Sequence, residues 1–279
     1  MNNSIYPCLT IKGKIAEAAD FYLDTFGDGT ITSSNPIVIT LKLSGQQFML
    51  LNDGPSSTPN PSISFMVSSE NEKDTEAYYQ KLINGGSALM PLDSYPWSSK
   101  YAWVQDKFGI SWQLYTGGPN EMNQKFSPTL MFTGPKAGKA EEAVNFYKDL
   151  FPESNIQGIL KYSEGEGNTN HVKHAQFKIK NFVVMAMDNP AEHGFGFVDA
   201  VSLVVLCKDQ AEIDKYWDGL IANGGHEVAC GWLVDKYGVS WQIVPDKLGQ
   251  WMSDPAKFQR VLSALMKMKK LIYAEMENA

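Results

Sequence analysis

The chain has 279 residues, of which 43% are hydrophobic and 20% charged, and a formal net charge of −7. Its length is about twice that of a common single domain, and its composition allows a sizeable core. The acidic balance excludes a general nucleic-acid or anionic-membrane surface. A lone arginine, Arg260, leaves most of the chain without a guanidinium clamp for phosphate or carboxylate. Three scattered cysteines (Cys8, Cys207 and Cys230) fit reduced thiols rather than a disulfide framework. The Met1–Ser4 start lacks a leader pattern and no apolar run is long enough for a membrane span, so a cytoplasmic location is expected.

In chain order, a strand over about residues 5–11 precedes a helix with Ile15, Ala18, Ala19, Tyr22 and Phe26 on one stripe. Strands near 37–43 and 47–52 follow, joined at Ser44-Gly45. The pattern then restarts with a strand at 62–67. The next helix opens on Ser69 and Glu72 at capping-box spacing and closes at Gly85-Gly86. Strands near 101–105 and 111–115 complete the half, and the polar stretch from Gly117 to Ser127 reads as a linker.

The second half repeats the first. Ala16-Glu17-Ala18-Ala19-Asp20-Phe21-Tyr22 is answered by Ala140-Glu141-Glu142-Ala143-Val144-Asn145-Phe146-Tyr147. The run from Asp106 to Gln113 (DKFGISWQ) is answered by the run from Asp235 to Gln242 (DKYGVSWQ). Ordered matches of this length mark a duplication. The second half has a longer hairpin, tipped by Glu164–Asn168, and has lost most of a strand and loop kept around Ser94–Trp97. After the repeat, Asp254-Pro255 opens an amphipathic helix along Phe258, Val261, Leu262, Leu265, Met268 and Ile272. The expected division is residues 1–118, 119–253 and 254–279, the last being the C-terminal helix.

Four βαβββ modules, each half closing on D-K-[FY]-G-[IV]-S-W-Q, resemble the vicinal-oxygen-chelate superfamily, which includes glyoxalase I and bleomycin-resistance proteins. Within it the chain is most similar to the PhnB-like family, often labelled 3-demethylubiquinone-9 3-methyltransferase. Val172-Lys173-His174-Ala175, Cys230-Gly231-Trp232 and Asp254–Arg260 carry that likeness. The resemblance implies an α+β fold of tandem glyoxalase-like domains, with mixed curled sheets and helices on their outer face. It also implies an internal pseudo-dimer of the two halves, with a homodimer as a further assembly.

The resemblance further places metal-ligand positions near Pro7, Ser62 and Gln113 in the first half, and near Pro128, Ala200 and Gln242 in the second. Proline and alanine offer no side-chain donor, and a neutral amide is a poor ligand for a transition metal. No metal or other cofactor is therefore expected. His171 and His174, three apart on a strand, point to opposite faces and cannot chelate together without a bulge. Gly27-Asp28-Gly29 follows a helix, and Gly165-Glu166-Gly167 sits in a hairpin, so neither has the strand–glycine–helix order of a nucleotide loop.

If Gln113 and Gln242 face a cleft, the alternation buries Trp112 and Trp241 in the core. Asp106 and Asp235 then read as turn formers. The expected ligand-binding residues are His174, Gln176, Trp232 and Gln242 in the second half, with Tyr101, Trp103 and Gln113 in the first. The leading expectation is a protein that binds a small organic molecule. Its rivals are a metal-dependent lyase, isomerase or dioxygenase, the methyltransferase of the label, a drug-sequestering protein, and a scaffold acting through the C-terminal helix.

Overall fold

The structure is a computed structural model describing residues 4–52, 57–117 and 124–279. Most of the expected linker, residues 118–123, lies outside the described residues. The elements in chain order are four modules. The first is β1 (Ile5–Thr10), α1 (Ile15–Phe26), β2 (Gly29–Ser34), β3 (Val38–Leu43) and β4 (Gln46–Leu51). The second is β5 (Ile63–Ser69), α2 (Glu72–Leu82), β6 (Ser87–Tyr95), β7 (Ser98–Gln105) and β8 (Ser111–Thr116). The third is β9 (Phe126–Phe132), α3 (Ala140–Leu150), β10 (Asn155–Lys161), β11 (Val172–Ile179) and β12 (Phe182–Asp188). The fourth is β13 (Val201–Cys207), α4 (Gln210–Ile221), β14 (His226–Glu227), β15 (Trp232–Val234) and β16 (Ser240–Pro245), followed by α5 (Leu248–Ser253), α6 (Phe258–Leu265) and α7 (Tyr273–Glu277).

The chain divides into two compact units, residues 7–201 and residues 4–6 with 202–279. The first unit contains a complete eight-stranded mixed sheet, β10-β11-β12-β9-β5-β8-β7-β6, and the run β1-β4-β3-β2. The complete sheet draws on both halves of the repeat, because β5 of the second module pairs antiparallel with β9 of the third. Inside each of these modules the first strand lies parallel to the last, β5 to β8 and β9 to β12. Register shifts are confined to the two marginal pairs, β10·β11 and β6·β7. Such bulges bend the strands that carry them and so curl both margins.

One face of this sheet is apolar and carries α2 and α3. Phe65, Val67, Trp112 and Leu114 point to it and are fully buried. Tyr22 and Phe26 of α1 meet Trp112 at ring-centroid distances of 5.4 and 5.1 Å, and Phe126 packs 4.9 Å from Phe26. Large rings at such tilted distances dominate a core energetically. Two buried glutamines act as surrogate peptide groups where strands begin. Gln46 exchanges both amide hydrogen bonds with Phe126 (2.8 and 2.7 Å), and Gln124 does the same with Val183 (2.8 and 2.9 Å).

The second unit holds the run β14-β15-β16-β13 with α4 beside it. Its middle strand is only three residues long, because Cys230 and Gly231 take left-handed backbone angles (φ 57° and 84°) immediately before Trp232. The C-terminal segment is not one helix: α6 ends at Leu265 and α7 begins at Tyr273. The carbonyls of Met268 and Lys269 instead accept from the backbone N–H groups of Cys230 and Gly231 (both 2.8 Å), which diverts them from helical bonding. Val261, Trp251 and Met276 close a small core beneath these helices.

Helix capping departs from the sequence expectation in the second module. Asp209 caps α4 by accepting from the Glu212 N–H. In the second module the cap is Asn71, which accepts from Asp74, rather than Ser69. Ser69 is instead the last residue of β5, where its carbonyl accepts from Gly117 at 3.0 Å.

The repeated aspartates form turns and do more besides. Asp106 Oδ1 accepts from the N–H groups of Phe108 (2.8 Å) and Ile110 (3.0 Å), while Oδ2 accepts from Tyr22 Oη (2.9 Å) and Trp112 Nε1 (2.8 Å). Burial nevertheless holds its carboxyl above the usual carboxylate range. Asp235 repeats the pattern, with three backbone N–H groups on Oδ1 and Trp241 Nε1 at 2.9 Å on Oδ2. Replacing Asp106 with alanine orphans four buried donors and is expected to cost about 3–5 kcal/mol. Asp106→Asn, which keeps one acceptor, is expected to cost less. Urea unfolding measures both, and a loss under about 1 kcal/mol for the alanine variant would refute this role for the carboxylate.

Candidate functional site

The face of the eight-stranded sheet opposite its helices is polar along its middle. Register places Gln176, Met185, Thr129, Ser64 and Ser111 side by side on β11, β12, β9, β5 and β8. One step along, Ser127, Met66, Gln113 and Trp103 form the adjoining row. His174 lies two residues before Gln176 and therefore shares its face. Five of the expected site residues thus stand on one face of one sheet: Tyr101, Trp103, Gln113, His174 and Gln176. Four strand spacings separate β8 from β11, about 19 Å across a flat sheet.

Two polar clusters mark the two sides of this face. On the β8 side, Tyr101 Oη donates to Gln113 Oε1 at 2.8 Å, and Gln113 Nε2 donates to Ser64 Oγ at 2.8 Å. Trp103 Nε1 donates to Ser111 Oγ at 2.7 Å. Burial pushes the Tyr101 hydroxyl far above its ordinary value, so it remains a neutral donor. Tyr95 and Trp97 pack edge-on against Tyr101 at 5.6 and 5.7 Å, and Trp97 is 50% exposed.

On the β11 side, Gln176 Nε2 donates to Gln157 Oε1 at 3.1 Å. His174 is half-buried, pairs in register with Leu160, and has no hydrogen-bond partner among the described residues. Desolvation lowers its pKa from the usual value. Met66, Met131, Met185 and Met187 occupy the ground between the two clusters. Thioethers there give a soft, adaptable lining.

The other two expected residues belong to the second unit. Trp232 and Gln242 are register partners on β15 and β16, and Gln242 Nε2 donates to Ser202 Oγ at 3.0 Å. They stand on the other sheet from His174 and Gln176, with which the sequence repeat had grouped them. The expectation for the alternating tryptophans holds in both units: Trp112 and Trp241 are both 0% exposed, on the helix side. Sequence reasoning missed Ser64, Thr129 and the methionines. Their signal was alternation within β5, β9 and β12, obscured because the opposite positions are also apolar.

The donors on this face do not fit the divalent transition metal of the wider superfamily. At the ligand-type position Gln113 has both amide ends engaged within the protein, and its neighbours are hydroxyls and thioethers. Among the described residues no group of three or more His, Cys, Asp or Glu side chains comes together. Asp188 is fully buried, and its carboxylate accepts from the N–H groups of Gly138, Ala140 and Val172 (2.7, 3.1 and 2.8 Å), which fastens the start of α3 to the end of β12. His171 stands beside Gly138, at the mouth of the long hairpin, rather than with His174.

The sequence profile described as 3-demethylubiquinone-9 3-methyltransferase matches residues 3–115 and 124–244. A PhnB protein from Bacillus cereus carrying the same description is 34% identical over 40% of this chain and 98% of its own, with a TM-score of 0.38. Glyoxalase I from Zea mays is 13% identical, covering 87% of this chain and 92% of its own, with a TM-score of 0.57. A single-site mutant of that glyoxalase I gives a TM-score of 0.60 at the same identity and coverage. No curated protein matches the chain. Among the described residues no helix is long and apolar enough to cross a membrane. The maize enzyme shares the tandem glyoxalase-like fold, and by profile and by the Bacillus cereus relative the chain belongs to the PhnB-like family described as 3-demethylubiquinone-9 3-methyltransferase.

Proposed function

We propose that the protein binds a small organic molecule on the polar face of the eight-stranded sheet, without a conventional metal centre. The observation that carries this reading is the buried chain Tyr101–Gln113–Ser64. It turns the ligand-type position of the superfamily into a fixed, neutral hydrogen-bonding floor. Around it, thioethers and aromatic rings supply apolar contact, with a few amides and one histidine to orient the guest, as small-molecule sites do. The same reading includes a cytoplasmic protein that can pair with a second copy.

Methyl transfer from S-adenosylmethionine is not supported by the glycines that could cradle that cofactor. Gly27 closes α1 in a left-handed cap, and Gly165 lies in the loop between β10 and β11. Neither precedes a helix N-terminus, where a nucleotide-like group would sit.

Elemental analysis of protein purified without chelators is expected to find less than about one transition-metal ion per ten chains. Tryptophan fluorescence is expected to quench saturably with aromatic carbonyl compounds, and S-adenosylmethionine to leave the melting temperature unchanged. Near one metal per chain surviving dialysis would overturn the reading.

His174 provides a pH test. Its folded-state pKa lies below the unfolded value of about 6.5, so the unfolded chain binds its proton first as pH falls. Its share of stability is therefore complete above about pH 6.5 and is lost as pH drops through the folded pKa. Proton NMR should show the ring titrating below its ordinary midpoint, and His174→Gln should flatten that part of the stability profile. A midpoint at or above about 6.5 would contradict the burial argument.

A further inference from the structure

We propose that the groove between α6 and α7 binds an organic carboxylate with an apolar body, its head gripped by Arg260 and its body laid on Met268 and Ile272. This site lies in the C-terminal helices, apart from the polar sheet face, and takes a ligand of its own.

The pairing of charges in this segment carries the argument. Five cations lie between Asp254 and Ala279. Lys257 Nζ donates to the Glu277 carbonyl at 3.0 Å, Lys269 pairs with Glu227 at 3.6 Å, and Lys270 bridges Asp214 and Asp218 at 3.1 and 2.8 Å. The other two, Arg260 and Lys267, have no hydrogen bond or ion pair among the described residues, and both line the groove. Glu275 of α7 lines it as well and pairs with neither. The segment thus satisfies its cations everywhere except where they face this space.

The groove has a volume of about 790 Å³, within the range of small-molecule sites. Ser263 also lines it, one turn from Arg260 on the same side of α6, where its hydroxyl can donate to the same head. The floor is apolar and firmly held. Ala264 and Met268 pack on the core of Trp251, Val261 and Met276, and Met268 Sδ accepts from the Ile272 N–H at 3.4 Å. Ile272 itself is 43% exposed. An apolar floor beside an unpaired guanidinium suits a guest with both characters.

The residue type narrows the head group. Arg260 is the only arginine among 24 lysines and arginines. A lysine would supply the same charge, whereas the planar guanidinium adds a two-pronged donor that matches a carboxylate. Glu275 on the α7 wall repels a doubly charged head, which favours a carboxylate over a phosphate monoester.

The test uses the full chain labelled with carbon-13 at its methionine methyls, titrated with octanoate and with octanol. These probes share a chain length and differ in the charged head. Octanoate is expected to shift Met268 and to bind about tenfold more tightly than octanol at low salt, an advantage that shrinks as salt is added. Arg260→Lys should lose most of that advantage and Arg260→Ala all of it. Arg260 is exposed and unpaired, so both variants should melt as the unmodified chain does. Lys269→Ala, which removes a paired cation nearby, should keep the advantage. Equal affinities for the two probes overturn the proposal, and so does undiminished octanoate binding by Arg260→Ala. A loss in Lys269→Ala matching that in Arg260→Ala overturns it too, by showing diffuse charge attraction. Doubly charged octyl phosphate binding as tightly as octanoate overturns the carboxylate assignment. Octanoate shifts at Met66 and Met185 with none at Met268 overturn the groove while leaving the sheet face as a binding site.

Discussion

The buried carboxylate of Asp106 decides which way the last strand of the second module faces. By holding the Trp112 indole N–H at 2.8 Å and the two backbone N–H groups of the preceding turn, it fixes the register at which β8 starts. Side chains alternate along a strand, so once Trp112 points to the helices Gln113 must point away. A one-residue slip would bury the amide and expose the indole, which the surrounding aromatic core forbids. The polar floor is thus a consequence of a structural turn. The chain uses the same device again at Asp235 and Trp241, where it places Gln242 on β16.

The repeat made this much readable from sequence. DKFGISWQ and DKYGVSWQ contain the turn former, the core tryptophan and the outward glutamine in fixed order, and alternation is enough to assign their faces. The helices α1 and α3 were equally plain from their apolar stripes. The partnership of the modules was less accessible. Nothing local says that β5 will pair with β9, bringing the second module of one half against the first module of the other. That pairing is why His174 and Gln176 share a face with Gln113, while Trp232 and Gln242 do not. The C-terminal segment misled for a related reason. Its apolar periodicity continues through Met268, but the carbonyls of Met268 and Lys269 are taken by Cys230 and Gly231, and this tertiary contact outweighs local helix propensity.

The residues that sequence reasoning missed share a physical cause. Ser64, Ser111 and Thr129 are small side chains on strands whose neighbours are apolar on both faces, so they read as filler in a buried run. Only their hydrogen bonds separate them from filler. Ser64 and Ser111 accept from a glutamine and a tryptophan anchored by the core, whereas Thr129 accepts and donates nothing. Methionines on the same face were equally silent, because a thioether on a strand is ordinary packing until its neighbours turn out to be polar.

Duplication explains how such a face can persist in one unit without its twin. Both glutamines bond a serine on the first strand of their module, which suits packing alone, since a buried amide must find partners somewhere. The added element in the first unit is Tyr101, which fixes the direction of the Gln113 amide, whereas Trp103 has a counterpart in Trp232, each pairing with the glutamine of its last strand. In the second unit a left-handed turn at Cys230-Gly231 occupies the place of Tyr101 and shortens the strand to three residues. The loss of that strand removes the phenol and with it the polarity of the chain. Buried hydroxyls without a partner occur on Thr129 and equally on Thr10, Thr25, Ser69 and Ser240, so what distinguishes the first unit is the direction Tyr101 imposes on its amide.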